Sequence, residues 1–276
     1  MYGTLYVVAT PIGNLEDITL RALRVLKDVD FIAAEDTRVS RKLLNHFEIK
    51  KPLISYYEQN KGLQEQKLLD ALTEGKSIAL ISDAGTPAIS DPGQDLVRSA
   101  LAREIPVVAV PGPSAMLTAL VGSGLDTSRF CFEGFLPRDK AMRRKRLVEL
   151  SEETRTLILY EAPHRLRTVL ADLCSIFGDN RPITVGRELT KIHEETIRTT
   201  LAGLCRFYQT REPRGEYVLV IAGAEPVIAP GVEPDVITAA LQDLLEAGTP
   251  RKEAARILAE QYHLRVRDVY QIGLND

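Results

Sequence analysis

Two loops of small, stiff residues are the parts of this chain whose composition could do chemistry. The first, Ser82-Asp83-Ala84-Gly85-Thr86-Pro87-Ala88-Ile89-Ser90-Asp91-Pro92-Gly93, follows the apolar run 77–81, which reads as a short buried strand. Gly85 and Gly93 admit backbone geometries that side chains block, while Pro87 and Pro92 remove N–H donors and stiffen the turn. Asp91 before Pro92 reads as the N-cap of a helix running from Gln94, with proline at its first position. The second loop, Val110-Pro111-Gly112-Pro113-Ser114-Ala115, follows the strand-like Val107-Val108-Ala109. It opens a helical run over residues 115–121, with Ser114 as N-cap. One such loop is an ordinary β-turn-α connection. Two at successive strand ends suggest the walls of one pocket, because the carboxyl ends of neighbouring parallel strands line the ligand crevice. Neither has the spacing of a dinucleotide fingerprint or an NTP phosphate loop, so a different ligand is expected.

The elements that must position these loops follow from hydrophobic periodicity. Residues 5–9 form an apolar strand, and the loop 10–15 leads to a helix with Ile18, Ala22, Val25 and Val29 on one face. A strand over 31–34 ends in Glu35-Asp36-Thr37-Arg38, and helices are expected over 42–47 and 63–74. With the strands near Ile78 and Val107 this makes an alternating β/α half. The pattern breaks at Gly122-Ser123-Gly124, which divides an N-terminal α/β domain (1–121) from a second one (122–225). The second begins with Phe130-Cys131-Phe132 and a basic segment holding Arg138, Lys140, Arg143, Arg144, Lys145 and Arg146. A strand over 156–160 precedes an amphipathic helix with Leu166, Val169, Leu170, Leu173 and Phe177 on one side, closed by Gly178. A strand running into a loop follows over 183–189, then strands over 195–201 and 216–222, the last two read as antiparallel. Residues 226–276 are expected to be a proline-rich linker and a small helical module, with helices over 236–247, 250–262 and 266–272.

At 276 residues the chain is long enough for two compact domains, and its 45% hydrophobic content is ordinary for a globular protein. No run approaches the roughly 18 apolar residues of a membrane span. The N-terminus enters a strand with no leader pattern, and the three scattered cysteines read as reduced, so a cytoplasmic location is expected. The four histidines show no ligand spacing, and no metal is expected. A net charge of −3 argues against a wholly basic nucleic-acid coat but leaves room for a local basic patch.

Asp83 in its loop, the Pro-Gly-Pro-Ser-Ala loop and the turn Val8-Ala9-Thr10-Pro11-Ile12-Gly13-Asn14 together resemble the tetrapyrrole-methylase family of S-adenosylmethionine-dependent methyltransferases. Within it, Glu35-Asp36-Thr37-Arg38, Tyr160-Glu161-Ala162-Pro163-His164-Arg165 and Gly186-Arg187-Glu188-Leu189-Thr190-Lys191 resemble the branch that methylates a cytidine ribose 2'-hydroxyl in 16S ribosomal RNA. The resemblance spans nearly the whole chain. It implies two αβα domains with the cofactor in the cleft between them, S-adenosylmethionine as cofactor, and contacts to it from Ile12, Ile81, Ser82, Asp83, Thr86, Ser114, Ala115, Glu161 and Leu189. One departure stands out. Relatives carry a Gly-x-Gly-Pro-Gly-type first loop where this chain has Ala9-Thr10-Pro11-Ile12-Gly13, which fits a changed substrate because that loop faces substrate in the family.

Methylating a ribose hydroxyl needs a positioned nucleophile and a group to take its proton. The candidate carboxylates are Glu35, Asp36, Glu161 and Glu188; Lys191 qualifies only if burial or a cationic neighbour lowers its pKa. Each has the alternative of a salt bridge at the cleft rim. Arg38, Arg165 and Arg187 match phosphate geometry, and Arg143, Arg144 and Lys145 stand either as RNA contacts or as a solvated helix face. The expected partners are 16S ribosomal RNA in the small subunit and a second copy of the chain. Two other readings compete: the same fold acting on a tetrapyrrole or another small acid, and a non-catalytic RNA-binding protein. The basic segment and helical tail favour the macromolecular substrate, and cofactor binding separates the last reading from the others.

Overall fold

The structure, a computed structural model, describes residues 2–224, 234–262, 264 and 266–272. The expected linker falls largely on 225–233 and so lies outside the described residues, as does His263 in the expected turn.

The first half alternates β1 (Leu5–Val8), α1 (Leu20–Asp28), β2 (Phe31–Ala34), α2 (Thr37–His46), β3 (Leu53–Ser55), α3 (Lys61–Thr73), β4 (Ile78–Ile81), α4 (Gln94–Ala102), β5 (Val107–Val110) and α5 (Ala115–Ser123). Its five strands form a parallel sheet in the order β3-β2-β4-β1-β5. Every residue of β4 is buried, as the continuous run Ile78-Ala79-Leu80-Ile81 predicts for a central strand covered on both faces. Ala79 and Ile81 pack with Ala22, Val25 and Leu26 of α1 on one face. Ile78 and Leu80 pack with Leu68, Leu69 and Leu96 of α3 and α4 on the other. The Thr19 side chain caps α1, accepting from the Ala22 N–H at 3.0 Å. Helix α2 starts five residues before the expected position because Asp36 caps it by accepting from the Arg38 N–H at 2.8 Å. The short edge strand β3, half-buried throughout, had no alternation to betray it.

The second half contains β6 (Phe130–Phe135), α6 (Lys140–Leu150), β7 (Thr156–Glu161), α7 (Pro163–Phe177), β8 (Pro182–Arg187), β9 (Glu195–Thr200), α8 (Leu201–Thr210) and β10 (Tyr217–Ile221). The sheet order is β6-β7-β10-β8-β9, mixed, with β10 antiparallel to both β7 and β8. The two expected strands β9 and β10 are each antiparallel to β8, which lies between them, rather than to each other, and the helix α8 that connects them is an addition to the expectation. Ala119 and Leu120 of α5 pack against Ile158, Val218 and Val220 of the second sheet. The boundary expected after residue 121 thus falls inside a helix that serves the other half. Residues Met1–Ala222 form one compact unit.

Gly223–Asp276 form a second unit. Its helices α9 (Pro234–Glu246), α10 (Arg251–Gln261) and α11 (Val266–Gln271) bury Ile237, Leu241, Leu258 and Val269 against one another. This unit has a core of its own, so truncation after Ala222 is expected to leave a cooperatively folding, cofactor-binding protein. Calorimetry of the truncated chain checks this: aggregation or lost cofactor affinity would show that the tail is structural. Among the described residues no helix is long and apolar enough to cross a membrane.

Candidate active site

A cavity of about 510 Å³ lies between the ends of the two sheets, within the size range of small-molecule sites. The first half contributes Asp83, Gly85 and Thr86 from the loop after β4, and Ser114 and Ala115 from the loop after β5. Glu161 at the end of β7 and Leu189 beyond β8 come from the second half. The loops are tied to one another. The Thr10 N–H donates to the Gly85 carbonyl at 2.8 Å, the Gly85 N–H returns to Thr10 at 3.0 Å, and the Thr86 hydroxyl donates to the Pro113 carbonyl at 3.4 Å. Ile12, from the first loop, stands on the same wall.

Of the nine expected cofactor contacts, Ile81 and Ser82 do not line the cavity. Both are buried behind it, and the Ser82 carbonyl accepts from the Thr10 hydroxyl at 3.2 Å. Asp83 is placed by the Asp36 N–H, which donates to its Oδ1 at 3.0 Å. Glu161 is nearly sealed, its side chain 1% exposed. Its Oε1 accepts from the Ala162 N–H at 2.9 Å and faces Arg165 Nε at 3.5 Å, whereas Oε2 is buried with no hydrogen-bond partner. Burial pushes the Glu161 carboxyl up, against the pull of the Ala162 N–H and Arg165. An orphaned buried acceptor is costly to keep, and in a cavity wall it marks a place for a donor from a ligand.

The proton-acceptor candidates separate cleanly. Glu35 lines the cavity, and burial together with the nearby Asp91 and Asp83 charges raises its carboxyl. Asp36 does not line it: hydrogen bonds from the Arg38 side chain and N–H hold its pKa at about 2, and its work is to cap α2. Glu188 and Lys191 line the cavity but hold each other at 3.0 Å. Burial raises the Glu188 carboxyl, but the Glu216 N–H and Lys191 outweigh it and leave it low. Burial likewise lowers the Lys191 ammonium, but Glu216 and Glu188 outweigh it and leave it raised. The condition under which Lys191 would serve as a base is therefore not met.

The arginines also divide. Arg143 is not a surface contact: its side chain is 5% exposed and ion-paired with Asp172 at 2.8 Å, with a further bond to the Arg138 carbonyl. Arg144 shares Asp172 from the solvent side, and only Lys145 of that trio is exposed and free of an ion pair among the described residues. Helical periodicity explains this, since position 143 shares the inward face with Leu147 and Leu150. Arg165 donates to the Leu136 and Pro137 carbonyls, and Arg187 to the Arg214 carbonyl and Glu195. Both are held in the protein, while Arg38 remains 88% exposed beside Asp36.

Wall residues that sequence reasoning does not name as site groups include Asp91, Phe135, Tyr160 and Glu216. The sequence pattern makes Asp91 the N-cap of α4. Instead Gly93 occupies the cap position of α4 with φ of 140°, where a Cβ would stand 2.7 Å from Leu80 Cδ2, and Asp91 turns into the cavity. The Tyr160 hydroxyl accepts from the Met116 N–H at 3.2 Å, joining the second sheet to the start of α5.

Comparison with known proteins agrees with this architecture. Residues 4–205 match the profile of the tetrapyrrole (corrin/porphyrin) methylases. A Synechocystis protein named ribosomal RNA small subunit methyltransferase I is 49% identical over 272 residues, covering 99% of this chain and 98% of the relative. A Thermotoga maritima protein of the same name is 47% identical over 223 residues, 81% of this chain and the whole of that protein. Among solved structures, the uroporphyrin-III C-methyl transferase of Thermus thermophilus complexed with S-adenyl homocysteine aligns with a TM-score of 0.56 at 19% identity, covering 79% of this chain and 97% of that one. Diphthine synthase aligns with a TM-score of 0.61 at 14% identity, covering 80% and 90%. With two sheets meeting over a walled cleft and a profile match over most of its length, the chain belongs to the tetrapyrrole methylase family.

Proposed function

We propose that this protein uses S-adenosylmethionine to methylate the ribose 2'-hydroxyl of a cytidine in 16S ribosomal RNA of the small subunit. The observation that carries the reading is the near end-to-end likeness to small-subunit ribosomal RNA methyltransferases, over 99% of the chain at 49% identity. The cleft suits the cofactor, which supplies an activated methyl group. Asp83 and the unpartnered Oε2 of Glu161 accept from its hydroxyl or amino groups. The first N–H groups of α5 lack helical partners, and since Met116 gives its own to Tyr160, that of Ala115 remains for a carboxylate. Ile12, Leu189 and Val218 provide an apolar slot. Asp83→Ala is expected to weaken cofactor binding by about 1–3 kcal/mol, the usual cost of losing a hydrogen bond to a charged group. Titration calorimetry reads this directly, and unchanged affinity would remove Asp83 from the site.

Arg38 and Lys145 are the exposed cations proposed for RNA phosphate, and the tail unit is proposed as a docking aid outside the catalytic unit. The Thermotoga maritima relative, spanning 223 matched residues, is close in length to Met1–Ala222 alone and supports that division. A cytoplasmic homodimer completes the proposal, with light scattering as its check. The deciding experiment is transfer of labelled methyl to isolated small ribosomal subunits, followed by alkaline hydrolysis. A 2'-O-methyl group blocks cleavage at its own phosphodiester, so the label should emerge in an alkali-resistant dinucleotide containing cytidine. Label in mononucleotides would overturn the ribose assignment, and absence of label the RNA substrate.

A further inference from the structure

The cavity wall holds more carboxylates than cofactor binding requires: Glu35, Asp83, Asp91, Glu161, Glu188 and Glu216. Their surroundings sort them. Glu161 faces Arg165, and Glu188 and Glu216 both hold Lys191. In spite of burial, pairing leaves the Glu188 carboxyl low and so a poor proton acceptor. Glu161, raised by burial in spite of Arg165, is sealed in the wall with its free oxygen assigned above to the cofactor. Three have no ion pair among the described residues: Glu35, Asp83 and Asp91. Asp83 accepts from the Asp36 N–H at 3.0 Å, and Glu35 faces the Asp83 N–H. Both donors are backbone groups fixed by the fold. Asp91 faces the Ser82 hydroxyl instead, a donor that can rotate away toward the Ala84 and Gly85 carbonyls it already approaches at 3.4 and 3.5 Å.

The loop that presents Asp91 is constrained to do so. Ala88 and Ser90 take positive φ values of 67° and 64°, a conformation that costs a residue bearing a Cβ about 1 kcal/mol or more. The loop reaches the second sheet at a bulge in β6, where Gly134 takes φ of 63° and a Cβ would stand 3.1 Å from Ser90 Oγ. Asp91 therefore lies where the loop after β4 meets β6 and β7, with Phe135 and Tyr160 on the same wall. The wall also contains the sealed, unpartnered Oε2 of Glu161, which independently marks the cavity as a ligand site.

We infer that Asp91 is the proton acceptor for the attacking ribose hydroxyl, an assignment that rests on the ribose-methylation reading above. The hydroxyl oxygen forms the new bond to the methyl carbon, the methyl–sulfur bond breaks with its electron pair left on sulfur, and the hydroxyl proton passes to an Asp91 oxygen. The groups facing Asp91 are Ser82 and Asp83 on its own segment, Glu35 after β2 and Tyr160 on β7. Burial is the main cause that raises its pKa to about 6, with Asp83 adding and Ser82 opposing. A base must be ionised, so kcat/KM should be flat near neutrality and fall tenfold per pH unit below about 6.

The test compares wild type, Asp91→Asn and Asp91→Glu for methyl transfer to small ribosomal subunits across pH 5–8, with cofactor affinity measured alongside. For D91N a loss in kcat of roughly 100- to 10,000-fold is expected, with cofactor Kd within about threefold and the acid limb gone. D91E should recover part of the rate together with an acid limb. D91N activity within tenfold of wild type, or an acid limb that survives in D91N, would overturn the assignment. So would a large loss of cofactor affinity in D91N, which would make Asp91 a cofactor contact. Wild-type enzyme that places no methyl on ribose would overturn the substrate reading itself, and this one with it.

Discussion

Replacing Asp172 by alanine is expected to lower the stability of the Met1–Ala222 unit by about 3–5 kcal/mol, the cost of leaving a buried charge uncompensated. The Arg143 side chain is 5% exposed and its partner carboxylate 8%. Asp172 accepts from Arg143 at 2.9 Å and from Arg144 at 2.8 Å, so α6 and α7 are joined through one carboxylate. In D172A, Arg144 can turn to solvent, but Arg143 stays on the inward face with only the Arg138 carbonyl. For a unit of this size the melting temperature should fall by roughly 6–20 °C in calorimetry. A double replacement, Arg143→Met with Asp172→Leu, should recover most of the loss, because two apolar side chains leave no orphan charge. Acid should act in the same direction as D172A. Burial raises the Asp172 carboxyl, but the two arginines outweigh it and leave its pKa depressed. Its stabilisation is thus complete above the ordinary aspartate pKa and is lost as pH falls through the depressed one. A D172A protein that melts with wild type would show that the pair is energetically idle.

Glu161→Gln is expected to give the opposite pattern, with cofactor affinity down by about ten- to a hundredfold and the unliganded protein at least as stable as wild type. The carboxylate keeps one buried oxygen without a donor, and an ionised group in that position is unfavourable to folding. Burial raises its pKa in the folded state, so the penalty is full at neutral pH and is relieved as pH falls through that raised value. Glutamine removes the charge at the same size, and Arg165 keeps the Leu136 and Pro137 carbonyls. A charge-assisted hydrogen bond to bound ligand is worth about 1.5–3 kcal/mol, which sets the expected loss of affinity. Calorimetric titration and thermal melts on one preparation read both effects. Unaltered affinity would mean that the orphan oxygen serves no ligand, and a large fall in the melting temperature would mean that it serves the fold.

Residue pattern is enough to specify the alternation of strands and helices in the first half and the small-residue loops at its strand ends. Those are local properties: a continuous apolar run such as 78–81 has few uses other than a central strand, and Gly and Pro punctuate the chain wherever they stand. The cofactor class was also legible, through motifs whose order along the chain matches the family. How the charged side chains are used depends on the folded chain. Arg143, Arg144 and Lys145 are neighbours in sequence, yet one is buried on Asp172, one shares that carboxylate from outside and one is exposed, because helical rotation sends successive residues to different faces. Lys191 and Glu188 look like acid–base groups in isolation and neutralise each other in the fold. Asp91 reads as a helix cap until Gly93 takes that place and the loop docks on the β6 bulge. A carboxylate's pKa depends on the dielectric and charges around it, and these are set by residues far apart in the chain.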